Sequence, residues 1–341
     1  MSETLREDTP LSCRSNEIIR SSKSADIMKK KMIVALSILI ASVLLMAGSC
    51  NATESKKMGA GKLDVVAVET FLADAAQHVA GDRLKITALM PLGADPHSFE
   101  PTPGDVKKVA DCDVLIVNGG GFEVFLDKLL LNAGGACRVI DASAGLSNHG
   151  FREEQHQHEE GEYHHEGDPH FWLDVNHMIA YVQNIQRGLS EADPDGARIY
   201  AANADVYIDR LRDLDRWIAD QVALIPPDRR LLVTNHESLG YFAGRYGFRI
   251  VGSIVPSASS EASPSAKELA RLADRIKATG ARAVFLETGT NPQLARQLAA
   301  ETGIRVATGL YTHSISDPAG PAPSYVDMMK YNTATIVNAL K

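Results

Sequence analysis

Residues 194–225 read PDGARIYAANADVYIDRLRDLDRWIADQVALI, and this stretch decides the fold. Pro194 opens it in the position where a helix tolerates proline, and Pro226-Pro227 closes it. Between them Ile199, Val206, Leu211, Leu214, Trp217 and Val222 recur on one broad helical face. A helix of roughly 30 residues is about 45 Å long. That length exceeds one small domain, so the spacing predicts a spine connecting two of them.

On either side the chain alternates short apolar runs with amphipathic ones. Before the spine, strands are expected at Leu63–Val68, Leu84–Met90, Val114–Asn118 and Arg138–Ile140, with helices at Phe71–Val79, Pro103–Ala110, Phe122–Leu131 and Asp174–Glu191. After it, strands are expected at Leu231–Asn235, Arg249–Ile254, Ala283–Glu287 and Arg305–Thr308. The helices there are Leu239–Tyr246, Ser265–Ala278, Asn291–Thr302 and Tyr325–Leu340. Strand–helix alternation implies parallel sheets with helical crossovers. The predicted class is α/β: two lobes with parallel sheets flanked by helices, 58–190 and 228–341, joined by a long rigid helix over 194–225.

The N-terminus is set apart. Met28-Lys29-Lys30-Lys31 precedes an apolar run from Met32 to Met46 and then Ala47-Gly48-Ser49-Cys50. A basic segment, a short apolar core and small residues make a signal for export. The run is shorter than the roughly 20 residues of a membrane span. Cys50 after small residues resembles the lipidation site of bacterial lipoproteins, although Ala47 stands where a larger aliphatic residue is usual. Residues 1–49 are therefore set aside as an upstream segment and signal peptide, and the true start codon is left open. They hold seven Lys/Arg and five Asp/Glu, so the net charge of -8 becomes about -10 for the mature chain. An acidic chain with only 6% aromatics excludes nucleic acid as a partner. It suits a cationic ligand on the periplasmic or extracytoplasmic side.

Eleven histidines carry the chemistry. His97 lies in Gly93-Ala94-Asp95-Pro96-His97-Ser98-Phe99-Glu100-Pro101, after a strand. His170 lies in Asp168-Pro169-His170-Phe171-Trp172-Leu173-Asp174, before a helix. His236 follows a strand in Thr234-Asn235-His236-Glu237-Ser238, and His313 lies beyond the last strand in Leu310-Tyr311-Thr312-His313-Ser314. One loop histidine is ordinarily a surface hydrogen-bonding residue. Four on the loops expected to bind ligands make a candidate transition-metal site. His78 and His177 fall within helical patterns and read as structural.

Three of these segments, in order and spacing, resemble the ligand motifs of the zinc/manganese solute-binding proteins of ABC transporters: Asp95–Pro103, Asp168–Asp174 and Thr234–Phe242. The resemblance spans about residues 60–341. It implies two α/β lobes on a rigid helix and one metal in the cleft, with His97 and His170 as ligands from the first lobe and His236 from the second. It implies an ABC permease and its ATPase as partners, with a periplasmic metallochaperone as a further one, and a monomer. The fourth ligand in that family is usually an Asp or Glu in a Tyr-x-Asp-Ser-like loop, and His313 stands there. Asp317, Glu287 and water remain alternatives for that position. A nitrogen-rich set favours zinc, with manganese or iron as alternatives.

A second feature places His149, His156, His158, His164 and His165 among Glu153, Glu154, Glu159, Glu160, Glu162 and Glu166, within a polar loop over 147–167. It resembles the His/acid-rich loop of zinc-type members; a merely solvated acidic insertion is the alternative. Cys112 and Cys137 each precede a strand and would pair if those strands are neighbours, or stay buried thiols. The rival functions are a zinc hydrolase and a surface adhesin using the same fold. The hydrolase reading fails on His165-Glu166-Gly167-Asp168-Pro169-His170: the spacing is one residue too long for HExxH, and Pro169 breaks the helix that motif requires. An enzyme is not expected.

Overall fold

A computed structural model describes residues 63–135, 137–147 and 167–341. The signal segment, Cys50 and all five histidines of the His/Glu-rich stretch lie outside the described residues. The first lobe contains β1 (Val65–Ala67), α1 (Thr70–Ala80), β2 (Ile86–Ala88), α2 (Pro103–Asp111), β3 (Val114–Val117), α3 (Leu126–Asn132) and β4 (Arg138–Asp141). Then come α4 (Val175–Ala192) and the long α5 (Ala197–Ala223). The second lobe contains β5 (Leu231–Thr234), α6 (Gly240–Tyr246), β6 (Arg249–Ser253), α7 (Ala266–Thr279), β7 (Ala283–Glu287), α8 (Gln293–Thr302), β8 (Arg305–Leu310) and α9 (Tyr325–Leu340).

The two sheets repeat one topology. Strand order is β2-β1-β3-β4 in the first and β6-β5-β7-β8 in the second, parallel throughout. In each, the chain starts on an inner strand, steps to one edge, then crosses to the other side. Loops leaving β1 and β3, and likewise β5 and β7, therefore diverge, and a crevice opens at the carboxyl ends of the strands.

The spine is an α-helix of 27 residues, about 40 Å long. Its buried stripe is Tyr200, Ala204, Tyr207, Ile208, Leu211, Leu214, Ile218 and Val222. Ile199 and Val206, which the apolar pattern assigns to this face, are 44% and 57% exposed. At the N-terminal end the stripe is rotated by about one residue, with Tyr200 and Tyr207 buried in place of Ile199 and Val206. α1 and α4 pack on α5 from one half of the chain, α6 and α9 from the other. A single apolar cluster consequently runs from Leu63 in the first lobe to Leu340 in the second.

Helix starts follow local chemistry. Thr102 and Asp105 form a capping box at α2, Ser265 and Glu268 another at α7, and Asp174 caps α4 by accepting from Asn176 N. One expected helix is displaced: not Phe122–Leu131 but Leu126–Asn132. The Glu123 carboxylate accepts from the backbone N–H groups of Asn118 and Gly119, 2.5 and 3.1 Å away, and this holds residues 118–125 as a loop. Gly119 and Gly120 adopt φ of 79° and 63° there, and a Cβ on Gly120 would meet the Phe171 ring at 2.6 Å. Among the described residues no helix is long and apolar enough to cross a membrane.

Candidate metal centre

Two of the four histidine segments share a local device. In Asp95-Pro96-His97 and Asp168-Pro169-His170, the Asp side chain accepts the histidine backbone N–H two residues on, at 3.0 and 2.9 Å. These are Asx turns, and the intervening proline removes a competing donor and fixes φ. The repeat places one histidine after β2 and the other at the short 3-10 turn Phe171–Leu173. In the second lobe His236 leaves β5 and His313 leaves β8. Asn332 clamps the latter loop, with its Oδ1 accepting from Tyr311 N and its Nδ2 donating to Tyr311 O.

The structure brings His97, His170, His236 and His313 together, with one ring nitrogen of each within 4.8 Å of the others. The Nε2 of His170 is 3.3 Å from that of His236 and 3.4 Å from that of His313. His170 and His236 are fully buried, whereas His97 is partly open to solvent and marks the exposed side of the cluster. The Nε2 of His97 is buried and meets no hydrogen-bond partner. A buried nitrogen without a partner is costly unless something else satisfies it.

Carboxylates hold the rings from behind. Asp168 Oδ1 lies 2.7 Å from His170 Nδ1. Burial pushes the Asp168 carboxyl up to about 8, against the bond from the His170 N–H. With the shared proton on Nδ1, the His170 Nε2 lone pair faces the cluster. Glu287, at the end of β7, stands behind two rings: Oε1 is 3.0 Å from His236 Nδ1 and Oε2 is 3.7 Å from His313 Nδ1. The first contact is close enough for charge pairing but not aligned as a hydrogen bond. Ser238 Oγ also donates to Glu287 Oε1 at 3.0 Å. Burial alone would raise Glu287; His236, His313 and Ser238 outweigh it and hold the carboxyl at about 2. Burial lowers His236, but Glu287 outweighs it and the net shift is upward. His97 falls to about 3, through burial first and then His313 and His236. His170 and His313 are also lowered, burial again being the largest cause. Most of the cluster is thus neutral imidazole at pH 7, the form that donates a lone pair.

The alternatives for the fourth position fall elsewhere. Asp317 is exposed and accepts from Ala319 N at 2.9 Å, outside the cluster. Glu287 orients His236 and His313 from the side away from their Nε2 atoms. His78 stacks on Tyr207 at 4.2 Å with Nδ1 bonded to Asp74 O, and His177 packs edge-on to Tyr241; neither joins the cluster. Sequence reasoning missed the aromatic wall. Phe122 packs against His97, His170, His313 and Trp172. Trp172 donates from Nε1 to Thr312 O at 2.8 Å, which ties the first lobe to the residue before His313. The Asp95 and Asp168 roles were signalled by the repeated Asp-Pro-His; nothing in the apolar pattern marks Phe122.

Two parallel-sheet lobes on a rigid helix, with imidazoles gathered at their facing carboxyl edges, define an extracytoplasmic metal-binding solute receptor. The chain belongs to the family described as zinc-uptake complex component A, periplasmic, which matches residues 65–339. It is 34% identical to the manganese-binding lipoprotein MntA of Halalkalibacterium halodurans over 92% of this chain and 99% of that one. It is 28% identical to the manganese ABC transporter substrate-binding lipoprotein PsaA of Streptococcus pneumoniae, over 91% of this chain and 99% of that one. Among solved structures, the periplasmic zinc-binding protein TroA of Treponema pallidum superposes with a TM-score of 0.72 at 26% identity, covering 82% of this chain and 99% of that one. The Mn-bound periplasmic metal-binding protein of Candidatus Liberibacter asiaticus gives a TM-score of 0.71 at 27% identity, covering 81% and 99%. The protein is the metal-binding, substrate-capturing component of an ABC transporter on the extracytoplasmic side, with permease and ATPase as partners, and is not an enzyme.

Proposed function

We propose that the cargo is zinc, held by His97, His170, His236 and His313. The observation that carries this reading is the spacing of the Nε2 atoms. Nitrogens at about 2.0–2.1 Å from a tetrahedral zinc stand about 3.3–3.4 Å from one another. His170 meets His236 and His313 at 3.3 and 3.4 Å. The single His170 Nε2 lone pair can accept one ring N–H, so hydrogen bonding between rings accounts for at most one of the two distances. A set of four imidazoles is also softer than a mixed carboxylate set and selects zinc over manganese, which suits oxygen ligands. Four protein ligands fill a tetrahedral shell, and a filled shell holds metal rather than activating water. Manganese is the second reading, favoured by the names of the relatives MntA and PsaA.

In this reading the receptor acts as a monomer, anchored through a lipidated Cys50. The His/Glu-rich segment 147–167 gathers metal weakly beside the tight site. The test is competition of zinc and manganese for the mature chain, with stoichiometry, for wild type and for His97→Ala, His236→Ala and His313→Ala. One tight zinc site weakened at least tenfold by each substitution supports the assignment. Tight binding that survives His97→Ala and His236→Ala overturns it. Deleting residues 149–166 removes weak sites and leaves the tight one.

A further inference from the structure

We propose that Cys112 and Cys137 close into an intrachain disulfide once the protein has been exported. Cys112 ends α2 and leads into β3; Cys137 leads into β4. β3 and β4 are adjacent parallel strands in the register Val114↔Arg138, and Arg138 N donates to Asp113 O at 2.9 Å. That register sets Cys137 opposite Asp113 and one residue from Cys112, the separation at which neighbouring chains accept a disulfide. Both side chains pack into the same apolar cluster with Val109, Val117 and Leu129, so they lie on the same side of the sheet. Each thiol is the leading influence on the other, raising Cys112 and lowering Cys137. Both are free thiols in this structure, and Cys112 donates to Val109 O.

The pair is arranged for oxidation in a defined order. Cys137 is partly accessible and its thiol is lowered to about 7, chiefly by Cys112; Cys112 is 3% exposed. The Cys137 thiolate attacks one sulfur of an organic disulfide, such as oxidised glutathione or an oxidised dithiol protein. A mixed disulfide forms and one thiolate leaves. Cys112 then gives up its proton and attacks the Cys137 sulfur, which releases the second thiolate. Two protein thiols are oxidised and the carrier disulfide is reduced to two thiols. An extracytoplasmic compartment supplies such oxidants, whereas the cytosol does not.

The cross-link pins an edge strand of the first sheet. β4 is an edge strand, paired on one side only, and three of its four residues are exposed. Gly134 and Gly135, both at positive φ, feed into it. Its far end carries Asp141, which holds Ser143 and abuts the Gly119 turn of the loop behind Phe122. Fixing the start of β4 therefore steadies the loop that walls the candidate metal centre.

The test is thiol mapping of the full chain recovered from the extracytoplasmic fraction, alkylated before and after reduction and digested. The expected result is a Cys112–Cys137 linked peptide that vanishes on reduction, distinct from peptides of Cys13 and Cys50. Purified protein oxidised with glutathione disulfide should show a Tm higher than its reduced form by on the order of 5 °C. The Cys112→Ala/Cys137→Ala variant should show no oxidant-dependent shift. Both thiols alkylating without prior reduction in the exported chain would overturn the proposal. So would oxidation yielding only intermolecular links, or an oxidant-dependent shift that persists in the double variant.

Discussion

The Nε2 atoms of His170 and His313, carried by opposite lobes, stand 3.4 Å apart. The lone pair on His170 is aimed there by Asp168, and His313 has Glu287 behind its Nδ1. A positively charged second ring could not be tolerated at that distance, and burial and mutual repulsion keep both imidazoles neutral. The pair is thus set as lone-pair donors before any cation arrives, and each lobe supplies half of the grip.

Metal uptake should release a proton near neutral pH. Glu287 raises His236, so below that raised value His236 is an imidazolium and must lose its Nε2 proton to ligate. Apparent affinity then climbs with pH by up to about tenfold per unit and levels off above the raised value. Glu287→Gln removes the charge that holds the proton, and the levelling point moves to lower pH. Calorimetric titrations in buffers of differing ionisation enthalpy count the proton; a buffer-independent heat at pH 6 would contradict the account.

Glu69 and Glu123 form a buried acidic pair beside the Phe122 loop. Glu69 is 1% exposed and neither carboxyl oxygen has a conventional partner, so burial and then Glu123 raise it well above the carboxylate range. Burial likewise pushes Glu123 up to about 7. Raised folded-state values mean the native pair binds protons that the unfolded chain has released above about 4.3. Its stabilising effect is therefore present at acidic pH and lost as pH rises through 7. Glu69→Gln keeps a donor beside Glu123 without the second charge. Urea unfolding should show the variant gaining roughly 2–3 kcal/mol on wild type between pH 5 and pH 8. A gap that does not change with pH would show that the two carboxyls do not share a proton.

Trp172 straps the lobes. It is fully buried, stacks on Phe71 at 4.5 Å and donates to Thr312 O. Tyr325 OH in turn donates to Trp172 O at 2.6 Å. Trp172→Phe leaves the Thr312 carbonyl unpaired next to His313, and should cost about 2–3 kcal/mol of stability and weaken metal binding. Chemical denaturation and a zinc titration on the same preparation read both effects. Lost stability with unchanged affinity would separate the strap from the site.

Lobe motion on loading should be small. α5 packs against both halves, and Tyr325 N at the head of α9 donates across the chain to Asp74 Oδ2 at 2.9 Å. Solution scattering should give nearly the same radius of gyration with and without zinc. A clear compaction on loading would require a hinge that this packing does not provide.

Much of this was legible in the sequence because periodicity and loop chemistry act locally. Pro194 and Pro226 bracket the long helix, and strands such as Val114–Val117 show as unbroken apolar runs. The four histidines stood out because each follows a strand end or precedes a helix. What was hidden depends on contacts distant in sequence. Glu287 looked like a spare ligand, yet its partners His236 and Ser238 lie on another strand's loop. Ile199 and Val206 looked buried because their period fits, but the facing helices select Tyr200 and Tyr207. The expected helix at Phe122 failed because a single carboxylate, Glu123, captures the backbone of 118–119.

The most direct test of the four-imidazole grip is zinc K-edge absorption on the mature chain loaded with one equivalent, for wild type and His313→Ala. Wild type should show about four nitrogen neighbours at about 2.0–2.1 Å with the outer-shell scattering of imidazole. The variant should lose one imidazole and gain a water or carboxylate oxygen. A wild-type shell of five or six mostly oxygen ligands, or a spectrum that His313→Ala leaves unchanged, would contradict the account.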